Sequence, residues 1–149
     1  MNPFVLGTNT ATNTTQDLPL LQEYGWDFIH DTFTYDTAGK HKIVTENEAL
    51  KVWIYKALRT ERYRYEAYKH GVYNDNAEYG VELERFIGKQ TNNKQSATVI
   101  KRYIEDGLIV NPYITKINSV DIAECSNDKL ILTVNLTSVY GNLSQGYTI

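Results

Sequence analysis

The strongest constraint on the fold of this chain is an alternating apolar pattern in residues 129–139. One face of this segment is wholly aliphatic and the other is semi-polar; the two sets are Leu130, Leu132, Val134 and Leu136 against Ile131, Thr133, Asn135 and Thr137. A period of two residues predicts a β-strand with one buried face. Because such a face needs a covering layer, the sequence predicts a sheet packed against helices.

A helix is predicted immediately after Thr45. Thr45 and Glu48 have the spacing of a capping box, in which each side chain accepts a hydrogen bond from the backbone amide of the other residue. Apolar residues then recur at helical spacing, namely Ala49, Leu50, Trp53, Ile54, Ala57 and Leu58. The pattern changes to alternation after Thr60, so we expect the helix to end near Arg59 and an extended segment to follow.

The other predicted elements are short. Tyr24–Thr34 and Lys40–Val44 are expected as strands around a turn at Asp36–Gly39, with a loop at His70–Ala77 and a helix at Tyr79–Gly88. Ser96 is expected to cap a further helix, whose inward residues are Val99, Ile100, Tyr103, Ile104 and Leu108. A strand over Ile114–Ile122 and a turn at Ser126–Asp128 complete the series.

Strands at both ends of a helical middle predict an α+β fold. We expect one small domain with an antiparallel or mixed β-sheet, in which a C-terminal β-hairpin packs against two or three helices. Residues 1–23 are expected to form an extended N-terminal arm, because Gly7–Gln16 is poor in apolar side chains. Residues 24–140 form the predicted domain, and residues 141–149 a C-terminal tail.

Composition limits the class of protein. The chain has 149 residues, 42% of them hydrophobic, enough for one domain to bury a core. A single cysteine, Cys125, excludes an intramolecular disulfide framework and a multi-cysteine zinc cluster. No apolar run approaches the roughly 18 residues of a membrane span, and residues 1–4 do not resemble a signal peptide. We therefore expect no membrane partner and a protein made in a reducing cytosol.

Charge argues against a general nucleic-acid-binding role. The formal net charge is −3, and residues 1–39 carry five acidic and no basic side chains, whereas residues 40–69 carry eight basic and four acidic ones. Phosphate binding needs a positive field that the flanking acids would cancel. Complementary patches on protein partners or within an assembly fit this distribution better.

The sequence has no recognisable catalytic or metal-binding pattern. The three histidines lack metal-ligand spacing, and they do not form a known nucleophile–base arrangement with Cys125. Carboxylate pairs such as Glu46 with Glu48 and Glu82 with Glu84 are more typical of solvated faces or caps than of a glycosidase site. We therefore expect no enzyme activity and no cofactor or metal.

Tyrosine is the unusual component of the chain. Six of the twelve tyrosines lie between Tyr55 and Tyr79, interleaved with Arg59, Arg62 and Arg64. Three interpretations are open: tyrosines that fill the junction between helix and sheet, anchors of a protein interface, or a platform that stacks single-stranded nucleic acid. The first two are compatible, because one tyrosine can serve both.

Four blocks of residues, in this order, resemble a known family. They are Trp26–Phe28, Glu48–Ile54, Thr60–Tyr65 and Tyr79–Leu83. The chain resembles the XkdS-like baseplate proteins of contractile phage tails and phage-tail-like bacteriocins over residues 24 to 139. It is more distantly similar to the small wedge protein of T4-type baseplates and to TssE of type VI secretion.

The resemblance implies a structural role in a contractile tail or tail-like particle. Such a protein sits at the inner baseplate of the virion or tail-like particle, which is assembled in the cytoplasm of the host bacterium. It links the wedge proteins to the sheath and starts the first sheath ring by strand exchange. The implied partners are wedge proteins, the sheath protein and tube or hub proteins, with six copies in a symmetric assembly. Lys129–Val139, with the Gly7–Gln16 arm or the Gly141–Ile149 tail, is the part expected to exchange strands.

Several positions match family motifs and are expected at partner interfaces. Thr60, Glu61 and Arg62 match a Thr-x-x-Gly-Glu-Arg turn without its glycine, followed by Tyr63, Arg64 and Tyr65, and Tyr79-Gly80 matches an aromatic-Gly pair. Asn111-Pro112-Tyr113 stands where distant relatives have Glu-Pro-Arg, so docking there cannot use the same ion pairs. The remaining expected interface residues are Leu130, Leu132, Val134 and Leu136.

Two alternatives remain on the sequence. One is a peptidoglycan hydrolase of a tail baseplate, because the T4-type relative has carried a lysozyme label. The other is a small nucleic-acid-binding module, in which Arg62 and Arg64 would bind phosphate.

Overall fold

The computed structural model describes residues 18–61, 79–83, 94–126 and 128–149. The strands are β1 (Gln22–Tyr24), β2 (Trp26–Asp27), β3 (Thr32–Phe33), β4 (Ile43–Thr45), β5 (Ile114–Cys125), β6 (Leu130–Ser138) and β7 (Gly141–Thr148). The helices are α1 (Glu46–Arg59) and α2 (Lys94–Leu108), between β4 and β5. These elements confirm the predicted small α+β domain.

The aliphatic face predicted for residues 129–139 forms the centre of the core. β6 lies between β5 and β7 in an antiparallel three-stranded sheet, so the predicted C-terminal hairpin has a third strand. The inward residues of β6 are completely buried, namely Leu130, Leu132, Val134 and Leu136. α1 contacts β7 and α2 contacts β5, so the two helices cover this face.

Helix α1 starts and ends where the sequence predicts, but its N-terminus is held differently. The predicted apolar face is buried, and the helix ends at Arg59. The capping box is wrong: Thr45 makes no side-chain capping bond and instead pairs with Gln22 in the β1–β4 ladder. Glu48 forms an ion pair with Lys51 at 2.7 Å. Strand pairing has therefore replaced local capping at this end.

The predicted strand Tyr24–Thr34 is broken into three short strands. The chain reverses between β2 and β3, where Asp27 Oδ1 accepts hydrogen bonds from the amides of Ile29 (2.9 Å) and His30 (3.1 Å). An aspartate that satisfies the amides two and three residues ahead favours a turn over continued extension. The turn predicted at Asp36–Gly39 is confirmed, because the Gly39 amide donates to the Asp36 carbonyl at 3.0 Å.

The predicted tail and the end of the predicted arm belong to the folded domain. Residues 141–148 form β7, which pairs with β6 along its whole length, so the description as a tail is wrong. Of the arm, residues 18–23 are described: Leu21 is buried, and its amide donates to the Tyr140 hydroxyl at 3.0 Å. The segment Gly7–Gln16 lies outside the described residues.

Helix α2 has the predicted core face with two corrections. Ile100, Ile104 and Leu108 are buried as expected, and Tyr103 is partly buried. Val99 is 42% exposed, so its inward placement is wrong. Ser96 is not a cap, because the helix already includes Lys94.

The helix predicted over Tyr79–Gly88 is wrong for its described part. Residues 79–83 are not helical, and Gly80 has φ +101°, a left-handed value that glycine adopts without steric cost. The Val81 amide of this segment donates to the Thr60 carbonyl at 3.0 Å, and the Leu83 amide donates to the Val81 carbonyl at 3.0 Å, a spacing of two residues that is not helical. Residues 84–88 and the predicted loop His70–Ala77 lie outside the described residues.

Candidate functional site

The open edge of the main sheet lies on β7, within the Gly141–Ile149 segment that the sequence offered as one candidate for strand exchange. β6 is paired on both sides, so of the segments expected to exchange strands, Lys129–Val139 does not lie at the edge of the sheet. Its expected interface residues Leu130, Leu132, Val134 and Leu136 are buried inside the domain, where they hold the helices. Among the described residues, no strand pairs with the outer side of β7.

Hydrogen-bond alternation identifies the backbone groups that β7 presents. The amide and carbonyl of Ile149 exchange bonds with Leu130 at 2.8 and 3.0 Å. The register from this pair to Ser138–Gly141 is unbroken, so every second residue of β7 bonds to β6. The amides and carbonyls of Asn142, Ser144, Gly146 and Thr148 therefore point away from β6.

The composition of β7 leaves this edge unprotected. Edge strands usually avoid further pairing by means of charges, prolines or bulges. β7 reads Gly-Asn-Leu-Ser-Gln-Gly-Tyr-Thr, which contains no charge and no proline, and its eight pairs with β6 have no bulge. An extended segment of another chain can therefore add to this edge with regular main-chain hydrogen bonds.

The opposite edge of the sheet, on β5, is irregular. The β5–β6 register shifts at three points along the strand. β5 also carries the charged side chains Lys116, Asp121 and Glu124. Bulges and charges of this kind hinder the addition of another strand. The two edges of the sheet are thus chemically different.

The expected interface residues after α1 make contacts within the chain. The Thr60 carbonyl accepts from the amide of Val81 at 3.0 Å, and Glu61 Oε2 accepts from the amide of Leu83 at 3.1 Å. Two of the sequence blocks that carry the family resemblance, Thr60–Tyr65 and Tyr79–Leu83, therefore meet in space. The Glu61 carboxylate stabilises the backbone of the second block at the Leu83 amide.

The neighbouring Tyr79 is buried, and its ring meets Trp53 edge-on with centroids 5.7 Å apart. Gly80 is also buried. These contacts agree with the interpretation that some tyrosines fill the core. Arg62, Tyr63, Arg64 and Tyr65 lie outside the described residues.

The Asn111-Pro112-Tyr113 turn exposes its proline only. Asn111 is completely buried, and its Oδ1 accepts from the Tyr113 amide at 2.8 Å, whereas its Nδ2 has no partner among the described residues. The Tyr113 hydroxyl donates to the Pro19 carbonyl at 2.5 Å, and burial raises the pKa of Tyr113. The turn thus ties the N-terminal segment to the sheet.

Two ion pairs fasten the N-terminal hairpins to α1. Lys56 Nζ contacts Glu23 at 2.7 Å, and the Arg59 guanidinium contacts Asp31 at 3.1 Å. The Tyr55 hydroxyl lies between the second pair, where it donates to Asp31 and accepts from Arg59. The Tyr55–Asp31–Arg59 cluster has no local sequence signal, because Asp31 lies 24 residues from Tyr55 and 28 from Arg59, and only Tyr55 and Arg59 have i, i+4 spacing.

The electrostatics of this cluster oppose acid catalysis. The hydrogen bond from Tyr55, and after it the charge of Arg59, hold the pKa of Asp31 below its usual value. A hydrogen bond from His30 likewise lowers the pKa of Asp27. A glycosidase acid needs a raised pKa, so neither carboxyl fits the hydrolase alternative. Arg59 is engaged by Asp31 and therefore does not offer an unpaired charge to phosphate.

An aromatic groove of about 730 Å³ separates the hairpins from α1. Its aromatic lining is Tyr24, Trp26 and Phe33 on the hairpins and Trp53, Tyr55 and Tyr79 on the other side. Continuous with the groove at Tyr24 and Phe33 is what we call the hairpin face, a set of exposed side chains: Tyr24, Phe33, Tyr35, His41 and Ile43. Its rings touch in a series, with centroids 4.9 to 6.3 Å apart. Clustered exposed aromatics of this kind are typical of protein interfaces.

The part of the chain that the structure describes has no metal-binding cluster. No group of three or more histidine, cysteine, aspartate or glutamate side chains there could hold an ion. None of its helices is long and apolar enough to cross a membrane. Cys125, at the end of β5, is partly exposed.

The sequence of this chain is similar to a known family of contractile injection systems and to a known protein of a phage-like element. The profile of a family described as contractile injection system sheath initiator matches residues 22–141. The chain is also 29% identical over 102 residues to the phage-like element PBSX protein XkdS of Bacillus subtilis (strain 168), a match that covers 68% of this chain and 63% of the relative. The chain spans less than two thirds of the length of that relative. The profile covers the hairpins, both helices and the sheet as far as the start of β7, so this chain belongs to the sheath initiator family, the structural proteins of contractile injection systems.

Proposed function

We propose that this protein starts the contractile sheath by accepting an extended segment of the sheath protein on the outer edge of β7. The observation that carries the proposal is the outer edge of this uncharged, regular strand. No other described strand pairs with it, and its outward carbonyls at Asn142 and Gly146 accept only side-chain hydrogen bonds, from Asn47 at 3.4 Å and from Gln145 at 2.9 Å. Strand addition gains affinity from main-chain hydrogen bonds and needs an edge of this kind. The family description supplies the sheath as the partner.

The same protein links the sheath to the baseplate in this proposal. The hairpin face is the part that docks on the inner wedge proteins, because it groups exposed aromatic and aliphatic side chains on the N-terminal hairpins. Six copies around the tube would then present six β7 edges to the first sheath ring. The protein acts in the baseplate of the finished particle, after assembly in the cytoplasm of the host bacterium.

A proline at Ser144 tests the role of the edge. The Ser144 amide points away from β6, so Ser144→Pro leaves the β6–β7 hydrogen bonds in place and removes one donor from the outer edge. We expect the variant to fold and to join baseplates, but to give particles without sheaths. The measurement is electron microscopy of particles from the producing bacterium, together with circular dichroism of the purified variant.

Matched controls separate the edge from the rest of the strand. Ser144→Ala keeps the amide and should still support sheath assembly. Gln145→Pro removes an amide that bonds to β6, so it should destabilise the domain itself. Sheaths of normal length and number on Ser144→Pro baseplates would show that the β7 edge is not the nucleation site.

A charge in the hairpin face tests the wedge contact. Tyr35 is 55% exposed, so Tyr35→Glu should fold normally but be lost from purified baseplates. Val99→Glu places the same charge on the exposed side of α2 and should be retained. Equal retention of both variants, measured by quantitative mass spectrometry of particles, would contradict docking through the hairpin face.

A further inference from the structure

Two rows of side-chain hydrogen bonds cross the outward face of the sheet. In the first row, Asn118 Nδ2 donates to Thr137 Oγ1 at 3.2 Å, and Thr137 Oγ1 donates to Asn142 Oδ1 at 3.1 Å. We call it the Thr137 row, and it runs from β5 to β7. It reaches β7 at a residue whose backbone faces the open edge.

The second row crosses the same sheet at Asn135. Ser144 Oγ donates to Asn135 Oδ1 at 2.5 Å. Asn135 Nδ2 in turn donates to Ser119 Oγ at 2.9 Å and to Asp121 Oδ2 at 3.1 Å. We call it the Asn135 row. Both rows end on β7, two residues apart.

The direction of the Thr137 row leaves a donor at the edge. A threonine hydroxyl has one proton, and Thr137 accepts from an amide nitrogen, so its own proton goes to Asn142 Oδ1. The Nδ2 group of Asn142 is then turned away from the row. It has no hydrogen-bond partner among the described residues, and the side chain is exposed.

The direction of the Asn135 row is opposite and leaves an acceptor. An ionised carboxylate only accepts hydrogen bonds, so Asp121 requires Nδ2 of Asn135 to face β5. Oδ1 of Asn135 therefore faces β7 and takes the proton of Ser144. The remaining lone pairs of the Ser144 oxygen have no donor within the described residues.

We infer that β7 recognises the strand that joins it through side-chain hydrogen bonds as well as through backbone hydrogen bonds. On the outward face the added strand carries a hydrogen-bond acceptor beside Asn142 and a donor beside Ser144, as in an Asn and Thr pair two residues apart. Side chains directly opposite on paired strands lie about 4.5–5.5 Å apart at Cβ, which is within hydrogen-bonding reach. The inference rests on the proposed function, since it requires a strand at this edge.

The inward face of the same edge adds an apolar requirement. Leu143 and Tyr147 alternate with the polar residues of β7, and both are buried on the face of the sheet that α1 covers. An added strand in register places every second residue beside them. The recognised segment therefore alternates between apolar residues and uncharged hydrogen-bonding residues, which distinguishes it from a charged extended tail.

A fused strand provides the test with the full chain. Eight residues are added after Ile149 through a flexible Gly/Ser linker, with Asn and Thr designed to lie beside Asn142 and Ser144 in antiparallel register. A second fusion has Leu and Val at these two positions. Docking is measured by hydrogen exchange of the Gly146 amide, which points away from β6, and nuclear Overhauser effects establish the register.

The side-chain contribution is isolated by a double-mutant cycle with Ser144→Ala, Asn142→Ala and both fusions, because the cycle cancels differences in strand propensity. We expect the Asn and Thr strand to couple to the edge residues by about two- to fivefold per position in the docking equilibrium. Coupling near onefold with both fusions docked would overturn this inference and leave the β7 edge intact. Failure of both fusions to protect Gly146 would overturn the edge proposal and this inference with it.

Discussion

Replacing Gly107 with alanine tests how α2 is seated on the segment 79–83. A Cβ at Gly107 would lie 2.6 Å from Val81 Cγ2 and 3.0 Å from the Gly80 carbonyl oxygen, both closer than ordinary van der Waals contact. The carbonyl has little room to retreat, because Gly80 has φ +101° and the Val81 amide is bonded to Thr60. The helix and this segment can therefore approach so closely only at a glycine.

Two opposed contributions decide the magnitude. Alanine inside a helix is favoured over glycine by about 1 kcal/mol. Overpacking a tight contact costs about 1–3 kcal/mol, and the upper half of that range applies because one of the obstructing atoms is backbone. We expect Gly107→Ala to lower the free energy of unfolding by about 1–2 kcal/mol, which corresponds to a fall in Tm of about 3–6 °C for a chain of this size.

Urea unfolding followed by tryptophan fluorescence measures this change. The matched control is Gly146→Ala, because a Cβ there meets nothing closer than 3.8 Å and the residue has no positive φ. That variant should gain about 0.5–1 kcal/mol. If Gly107→Ala is as stable as Gly146→Ala, the packing argument is refuted. Val81→Ala combined with Gly107→Ala should recover part of the loss.

Three further predictions concern buried and paired polar groups. Tyr147→Phe should cost about 1 kcal/mol in urea unfolding, because the Tyr147 hydroxyl donates to the Lys51 carbonyl at 2.9 Å. The folded pKa of Asp31 is lowered, so its contribution to stability is complete above the unfolded value of 3.8 and is lost as the pH falls through the folded value. Asp31→Asn should flatten the dependence of Tm on pH below about pH 4, and an unchanged acid profile would count against the Tyr55–Asp31–Arg59 cluster. Burial raises the pKa of Tyr147 well above 10.0, so stability should fall as the pH rises beyond 10.0. Absorbance titration at alkaline pH should show one late-ionising tyrosine fewer in Tyr147→Phe than in the unmodified chain.

The elements predicted correctly are those whose signal is local. The aliphatic face of β6 and the apolar face of α1 each place enough side chains at one period to fix the element and its buried side. β7 has no such signal, since only Leu143 and Tyr147 of its eight residues are buried. Its strand conformation comes from pairing with β6, and that partner is chosen by the tertiary fold.

The same distinction explains why the open edge of the sheet could not be predicted from the sequence alone. A strand can be predicted from its own residues, but its position in the sheet depends on the other strands. Lys129–Val139 has the strongest strand pattern in the sequence. For that reason it forms the central strand of the sheet, β6, which is paired with β5 on one side and with β7 on the other. The predicted capping box was wrong for a similar reason, because Thr45 pairs with Gln22 of another strand instead of capping its own helix.

The difference between the β5 and β7 edges has a consequence for how an assembly grows. A subunit with two equivalent edges can pair with copies of itself without limit, and filaments follow. In the main sheet, bulges and charges on the β5 side and a regular strand on the β7 side leave one edge suited to regular strand addition. Under the proposed strand addition, the main sheet accepts a strand on one side only, so it can supply the first template for a lattice of other subunits without adding copies of its own chain in series.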